Sequence, residues 1–145
     1  LRNIVIPDSV TSIGNCAFWN CRSLTDIVIP DSVTSIGFEA FCDCLSLSSL
    51  VLSDGITSTG RFAFNWCKSL AEVVIPDSVT SIGDGTFEGC RSLTDIVIPD
   101  GVTSIGGCAF SGCNFSYDLK QKLSSRFGKG IFEQSYGLFS NYYGE

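Results

Sequence analysis

The chain has 145 residues, of which 44% are apolar and 17% charged, with a formal net charge of −6 and no histidine. That length suits about one domain, and the composition excludes disorder and requires a substantial buried core. The missing histidine removes Ser-His-Asp, Cys-His and His-metal chemistry together. No apolar run approaches the ~18–20 residues of a membrane helix, and no charged-then-apolar signal segment opens the chain. With no methionine and with Leu1 opening a repeat unit, the sequence reads as a mature or excised fragment.

A unit of 23 residues recurs five times, giving repeats 1–23, 24–46, 47–69, 70–92 and 93–115 and leaving a tail, 116–145. The repeats hold twelve acids against five bases, a net −7, whereas the tail is +1. An acidic array repels phosphate backbones, so neither nucleic acid nor an anionic membrane is an expected partner.

The shared pattern reads L-x-x-I-V-I-P-D-S-V-T-S-I-G-x-x-A-F-x-x-C-x-S. A period of 20–29 led by L-x-x-I-x-I is the leucine-rich-repeat signature. In the first unit, alternation puts Ile4 and Ile6 on one face of a strand and Asn3 and Val5 on the other, with Leu1 leading in from the inner side. Pro7-Asp8-Ser9 breaks that strand, since proline fixes φ and lacks an N–H. A second short extended segment follows, anchored by Val10 and Ile13. Gly14 ends it and recurs at 37, 60, 83 and 106, which implies either a positive φ or a close approach of chain to chain. Ala17 and Phe18 return to the core and begin a spine of Phe18, Phe41, Phe64, Phe87 and Phe110, with only Thr86 interrupting the alanine ladder. The expected fold is a β-rich, right-handed leucine-rich-repeat solenoid with a parallel sheet on its concave side. At about 4.8 Å per rung, five units span roughly 20–24 Å.

The combination IVIPDSVTSIG…AF..C.SL resembles the BspA-like, or Treponema-type, leucine-rich repeats over about four-fifths of the chain. Unit three departs most, with Ser53 for Pro, Gly55 for Ser and Thr59 for Ile. The resemblance implies a surface or secreted protein of a host-associated microbe, used in adhesion to matrix proteins or other cells.

In the tail, Leu119, Leu123 and Phe127 fall at i, i+4 and i+8, with Lys120, Gln121, Lys122 and Arg126 between them. This predicts an amphipathic helix over about 116–127, opened by Ser116 with Asp118 in its first turn and stopped at Gly128. Its expected task is to cap the C-terminal end of the solenoid, extended by Ile131, Phe132, Tyr136, Leu138, Phe139, Tyr142 and Tyr143. Nothing equivalent precedes Leu1, so upstream repeats are expected, and the bare N-terminal end is a candidate for self-association.

Cys21, Cys44, Cys67, Cys90 and Cys113 occupy one position of every unit. A reduced thiol is a small buried hydrophobe, so a structural ladder is expected. A linear ladder does not converge as a tetrahedral metal site must, and parallel inward side chains do not suit disulfides. Cys16, Cys42 and Cys108 stand outside it at positions where other units carry Glu39, Gly85, Glu88 or Ser111. These three are expected to be solvent-accessible, and pairing of Cys16 with Cys21 or Cys108 with Cys113 stays open. Asp8, Asp31, Asp54, Asp77 and Asp100 form a ladder of turn acceptors, and a shared Ca²⁺ is the less favoured alternative.

Two surfaces are candidates for binding. The outward residues of the concave strand are Asn3, Asp26, Ser49, Glu72 and Asp95, beside the row Val5, Val28, Val51, Val74 and Val97; valine also simply suits a strand. In the outer loops, Trp19, Phe38, Phe62 and Trp66 fall at positions where the repeat demands no aromatic, and clustered exposed aromatics mark interfaces. Packing beneath a neighbouring loop is their alternative. Asn114-Phe115-Ser116 matches a glycosylation triplet, but Ser116 already serves as a helix cap. Identical ladder positions give carboxylates no acid/base asymmetry, so no enzyme, no metal and no cofactor is expected. The reading is a non-enzymatic protein-binding module of a surface or secreted adhesin, with a structural spacer as the alternative.

Overall fold

A computed structural model describes residues 3–134. Tyr136, Leu138, Phe139, Tyr142 and Tyr143 of the expected cap, and Leu1 of the lead-in, lie outside them. Units one to four each contribute a three-residue strand and then a two-residue strand, and unit five only the two-residue one: β1 (Asn3–Val5), β2 (Ser12–Ile13), β3 (Asp26–Val28), β4 (Ser35–Ile36), β5 (Ser49–Val51), β6 (Ser58–Thr59), β7 (Glu72–Val74), β8 (Ser81–Ile82) and β9 (Ser104–Ile105). All pairings are parallel and in register at 23 residues, as in Asn3↔Asp26 and Ser49↔Glu72. The chain is therefore a parallel β-solenoid in which the sequence period is also the spatial rung.

The sheets differ from the single concave sheet expected. The continuous ladder is the five-stranded one, β2-β4-β6-β8-β9, whereas the longer strands form two separate pairs, β1-β3 and β5-β7. In unit five no strand forms at 94–98. There the Ile96 N–H donates to its neighbour's carboxylate, Asp95 Oδ1, at 2.9 Å. A local acceptor of this kind competes with the ladder for the backbone donor.

The core follows the predicted phase. Leu24, Leu47, Leu70 and Leu93 are wholly buried, as are Val33, Ile56 and Val79. The five phenylalanines of the spine stack as nearly parallel rings, with centroids 5.1 Å apart for Phe41 and Phe64 and 5.8 Å for Phe64 and Phe87. Ile4, Ile6, Val10, Phe18 and Cys21 are only partly buried, because the first described unit has a neighbour on one side only.

From Gly37 onward the recurrent Gly14 position owes its glycine to crowding by the preceding rung, whereas Gly14 itself has nothing within 4 Å. None of these five glycines has positive φ, but a Cβ on Gly60 would stand 2.6 Å from the carbonyl carbon and oxygen of Gly37 one rung away. The close-approach alternative therefore holds.

α1 (Tyr117–Phe127) begins where expected: Ser116 is its N-cap, and its hydroxyl accepts from the Leu119 N–H at 3.2 Å. Gly128, at φ 86°, ends it. Leu123 is buried, with Leu119 and Phe127 packed on the same core. A 3₁₀ turn, Lys129–Phe132, then brings Gly130 and Ile131 beside unit five, where their carbonyls accept from the Cys108 and Phe110 N–H groups at 2.8 Å each. The tail so supplies the backbone acceptors that a sixth rung would supply.

Candidate binding surfaces

The strand face presents the valine row as read from the sequence. Val28 is 77% exposed between Ile27 and Ile29, which are buried. Val5, Val51, Val74 and Val97 are likewise exposed, flanked by exposed Asn3, Asp26, Glu72 and Asp95 and half-buried Ser49. Where the ladder lapses, between Glu72–Val74 and 95–97, a shallow cleft opens along this face.

The opposite loops are built from successive tight turns. In unit one the N–H groups of Ala17, Trp19 and Cys21 donate back three residues, to Gly14, Cys16 and Phe18. Those of Cys16, Phe18 and Asn20 donate forward to Phe38, Ala40 and Cys42 of the next rung. This alternation requires a left-handed residue at the Cys16 and Asn20 positions of every unit. Cys16, Asn20, Glu39, Asp43, Phe62, Trp66 and Cys108 all have φ between 54° and 64°, and Gly85, Gly89 and Gly112 fill the remaining places. Asn and Asp tolerate that region, but for Phe62 and Trp66 it costs about 1–2 kcal/mol each. Sequence reasoning missed both positions. The only signal was glycine at 85, 89 and 112.

The aromatic cluster separates into two parts. Trp19 and Trp66 are 52% and 38% exposed, whereas Phe62 is fully buried, which corrects the expectation of an exposed four-residue patch. Its ring lies over Gly85, where any Cβ would collide with it, and Trp66 covers Gly89 in the same way. Large residues in unit three thus fit glycines in unit four. Phe38 is half-buried and meets Phe62 edge-on at 6.1 Å.

All eight cysteines are free thiols, so neither candidate pairing forms. Cys44, Cys67, Cys90 and Cys113 are buried, and each thiol donates to the carbonyl of the preceding unit's spine phenylalanine, as in Cys67 to Phe41 at 3.2 Å. Burial pushes Cys44 and Cys113 up to about 12. Of the three outlying cysteines only Cys16 is exposed. Cys42 and Cys108 are buried, contrary to expectation, because stacked loops cover these positions wherever a rung lies on either side. Burial, and then the Glu88 carboxylate, raises Cys108 to about 11. The aspartate ladder is exposed throughout, and among the described residues no group of three or more His, Cys, Asp or Glu is placed to hold a metal.

A groove opens among these loops. Trp19 and Trp66 line it together with Cys16, Glu39, Cys42, Asp43 and Asn65. The Cys42 thiol is in hydrogen-bond contact with the Trp19 side chain and the Glu39 carboxylate, and burial above all holds it protonated. The Arg91 guanidinium, outside this groove, sits 5.8 Å from the Trp66 ring centroid.

A parallel solenoid with 23-residue rungs, inward Leu and Ile ladders and an exposed strand face is a leucine-rich-repeat scaffold. The BspA type leucine rich repeat region matches residues 1–138 in six copies, and the chain belongs to that family. Its fold is similar to that of a leucine-rich-repeat protein of Treponema pallidum, at 38% identity and a TM-score of 0.78, over 83% of this chain and 56% of that one. A leucine-rich cell surface protein of Faecalibacterium prausnitzii A2-165 is 37% identical, with a TM-score of 0.63, over 80% of this chain and 38% of that one. A leucine-rich-repeat protein of Bacteroides ovatus is 27% identical, with a TM-score of 0.52, over 80% of this chain and 42% of that one. The chain thus spans between 38% and 56% of the length of these relatives. No curated protein matches it. Repeats of this family are generally non-enzymatic scaffolds and protein-interaction modules.

Proposed function

We propose that the chain is a protein-binding module of a cell-surface or secreted adhesin, engaging host matrix proteins or other cells through its strand face. The observation that carries this reading is the row of five exposed valines edged by carboxylates, a continuous apolar stripe that the core does not use. Such a stripe suits a partner with apolar and basic groups. The cell-surface description of the F. prausnitzii relative supports the location. The uniformity of the valine row favours a second reading, a spacer that holds other domains away from the cell. The partly buried Ile4, Ile6 and Phe18 add a candidate surface for self-association.

The test is binding of the chain to an immobilised panel of extracellular-matrix proteins, with a Val28→Ser, Val51→Ser, Val74→Ser variant as comparison. Saturable binding that the triple variant weakens supports the module. A folded chain that binds nothing across the panel favours the spacer.

A further inference from the structure

We propose that the loop groove between Trp19 and Trp66 receives a lysine or arginine side chain of a protein partner, forming a second contact surface separate from the valine face. This rests on the protein-binding reading above. The two tryptophans belong to units one and three, whose backbones are two rungs or about 10 Å apart, with Glu39 and Asp43 on the rung between them, and all four line the groove. No Lys or Arg is among the described residues lining the groove. An inserted cation would find aromatic rings on either side and negative charge along the floor, the chemistry that favours guanidinium or ammonium groups. The chain already shows the preference, because the Arg91 guanidinium lies over the Trp66 ring. The fold does not call for tryptophan here: the position of Trp66 is glycine in units four and five and Asn20 in unit one. The acidic balance of the repeats adds long-range attraction for a basic partner.

The chain has only two tryptophans and both border this groove, so intrinsic fluorescence reports it directly. The probes are a hexapeptide of alternating Arg and Gly and a matching Glu-Gly peptide. Asp43→Asn and Trp66→Gly each install a residue that the same column carries in another unit, so both variants keep the left-handed backbone and should fold. Circular dichroism and the urea midpoint check this. The Arg peptide should give a saturable change that weakens with salt and is absent for the Glu peptide. Asp43→Asn should weaken it at least about fivefold, and Trp66→Gly should abolish the response of the remaining Trp19. Glu72→Gln on the strand face should leave it unchanged. No saturable change, or equal changes for both peptides or for Asp43→Asn, overturns the groove. Because no matrix protein enters this assay, its failure beside a positive matrix panel leaves the module reading standing.

Discussion

The hydroxyls of Thr59 and Thr86 lie 3.2 Å apart in the buried interior. They are two departures from the repeat, a threonine for isoleucine in unit three and a threonine for alanine in unit four, and each is the other's partner. Thr86 also donates to the Gly83 carbonyl at 2.8 Å, and the Gly83 N–H donates to Thr59 Oγ1 at 3.2 Å. Thr86→Ala alone takes the acceptor from the buried Thr59 O–H, which costs about 1–3 kcal/mol, whereas Thr59→Ile alone leaves Thr86 the Gly83 and Gly60 carbonyls. Thr59→Ile with Thr86→Ala should cost less than the sum of the single changes, by about 1 kcal/mol. Urea midpoints of the four proteins in the cycle measure this, and strict additivity would break the pairing.

Phe64 is buried at the centre of the stacked spine, whereas Val51 is 58% exposed. Phe64→Ala should destabilise the fold by about 3–5 kcal/mol. Val51→Thr should fall within about 0.5 kcal/mol of the parent. Coincident denaturation midpoints would reverse the assigned faces.

The thiol ladder predicts alkaline sensitivity. Cys44 and Cys113 are raised from an ordinary 9.0 to about 12 in the folded chain, chiefly by burial, and Cys67 and Cys90 are raised too. Between these values the folded state keeps protons that the unfolded chain has lost. The stability is therefore complete below about pH 9 and falls as pH rises toward 12. Denaturant melts at pH 8 and 11 should show the fall, and Cys44→Ala with Cys113→Ala should make it shallower. At neutral pH, Cys16 should react fastest with a thiol reagent, and Cys42 and Cys108 slowly, as peptide mapping can establish.

Arg126 joins the helix to the fifth unit. Its Nη2 donates to the carbonyls of Asp100 and Val102 at 3.1 and 3.0 Å, while the guanidinium stacks on the Phe127 ring at 4.7 Å. Arg126→Ala should cost about 1–2 kcal/mol and speed hydrogen exchange in α1, whereas exposed Lys122→Ala should change neither. Equal exchange in both variants would mean that the helix is held by Leu123 and its apolar neighbours alone.

The rung, the buried ladders, the exposed valines and the capped helix were legible in the sequence by itself. Parallel stacking makes the spatial register equal to the repeat period, so one unit's inside and outside pattern, repeated five times, describes the core. The N-cap at Ser116 and stop at Gly128 are local chemistry and equally readable. Tertiary structure alone decided whatever depends on unlike residues in adjacent rungs: Phe62 sealed over Gly85, the Thr59–Thr86 pair, the burial of Cys42 and Cys108, and the groove between Trp19 and Trp66. It also decided that the longer ladder stops before unit five, where Asp95 takes a backbone donor that the consensus assigns to the sheet. A repeat pattern averages its units, and these features arise only where one unit's departure meets the next unit's.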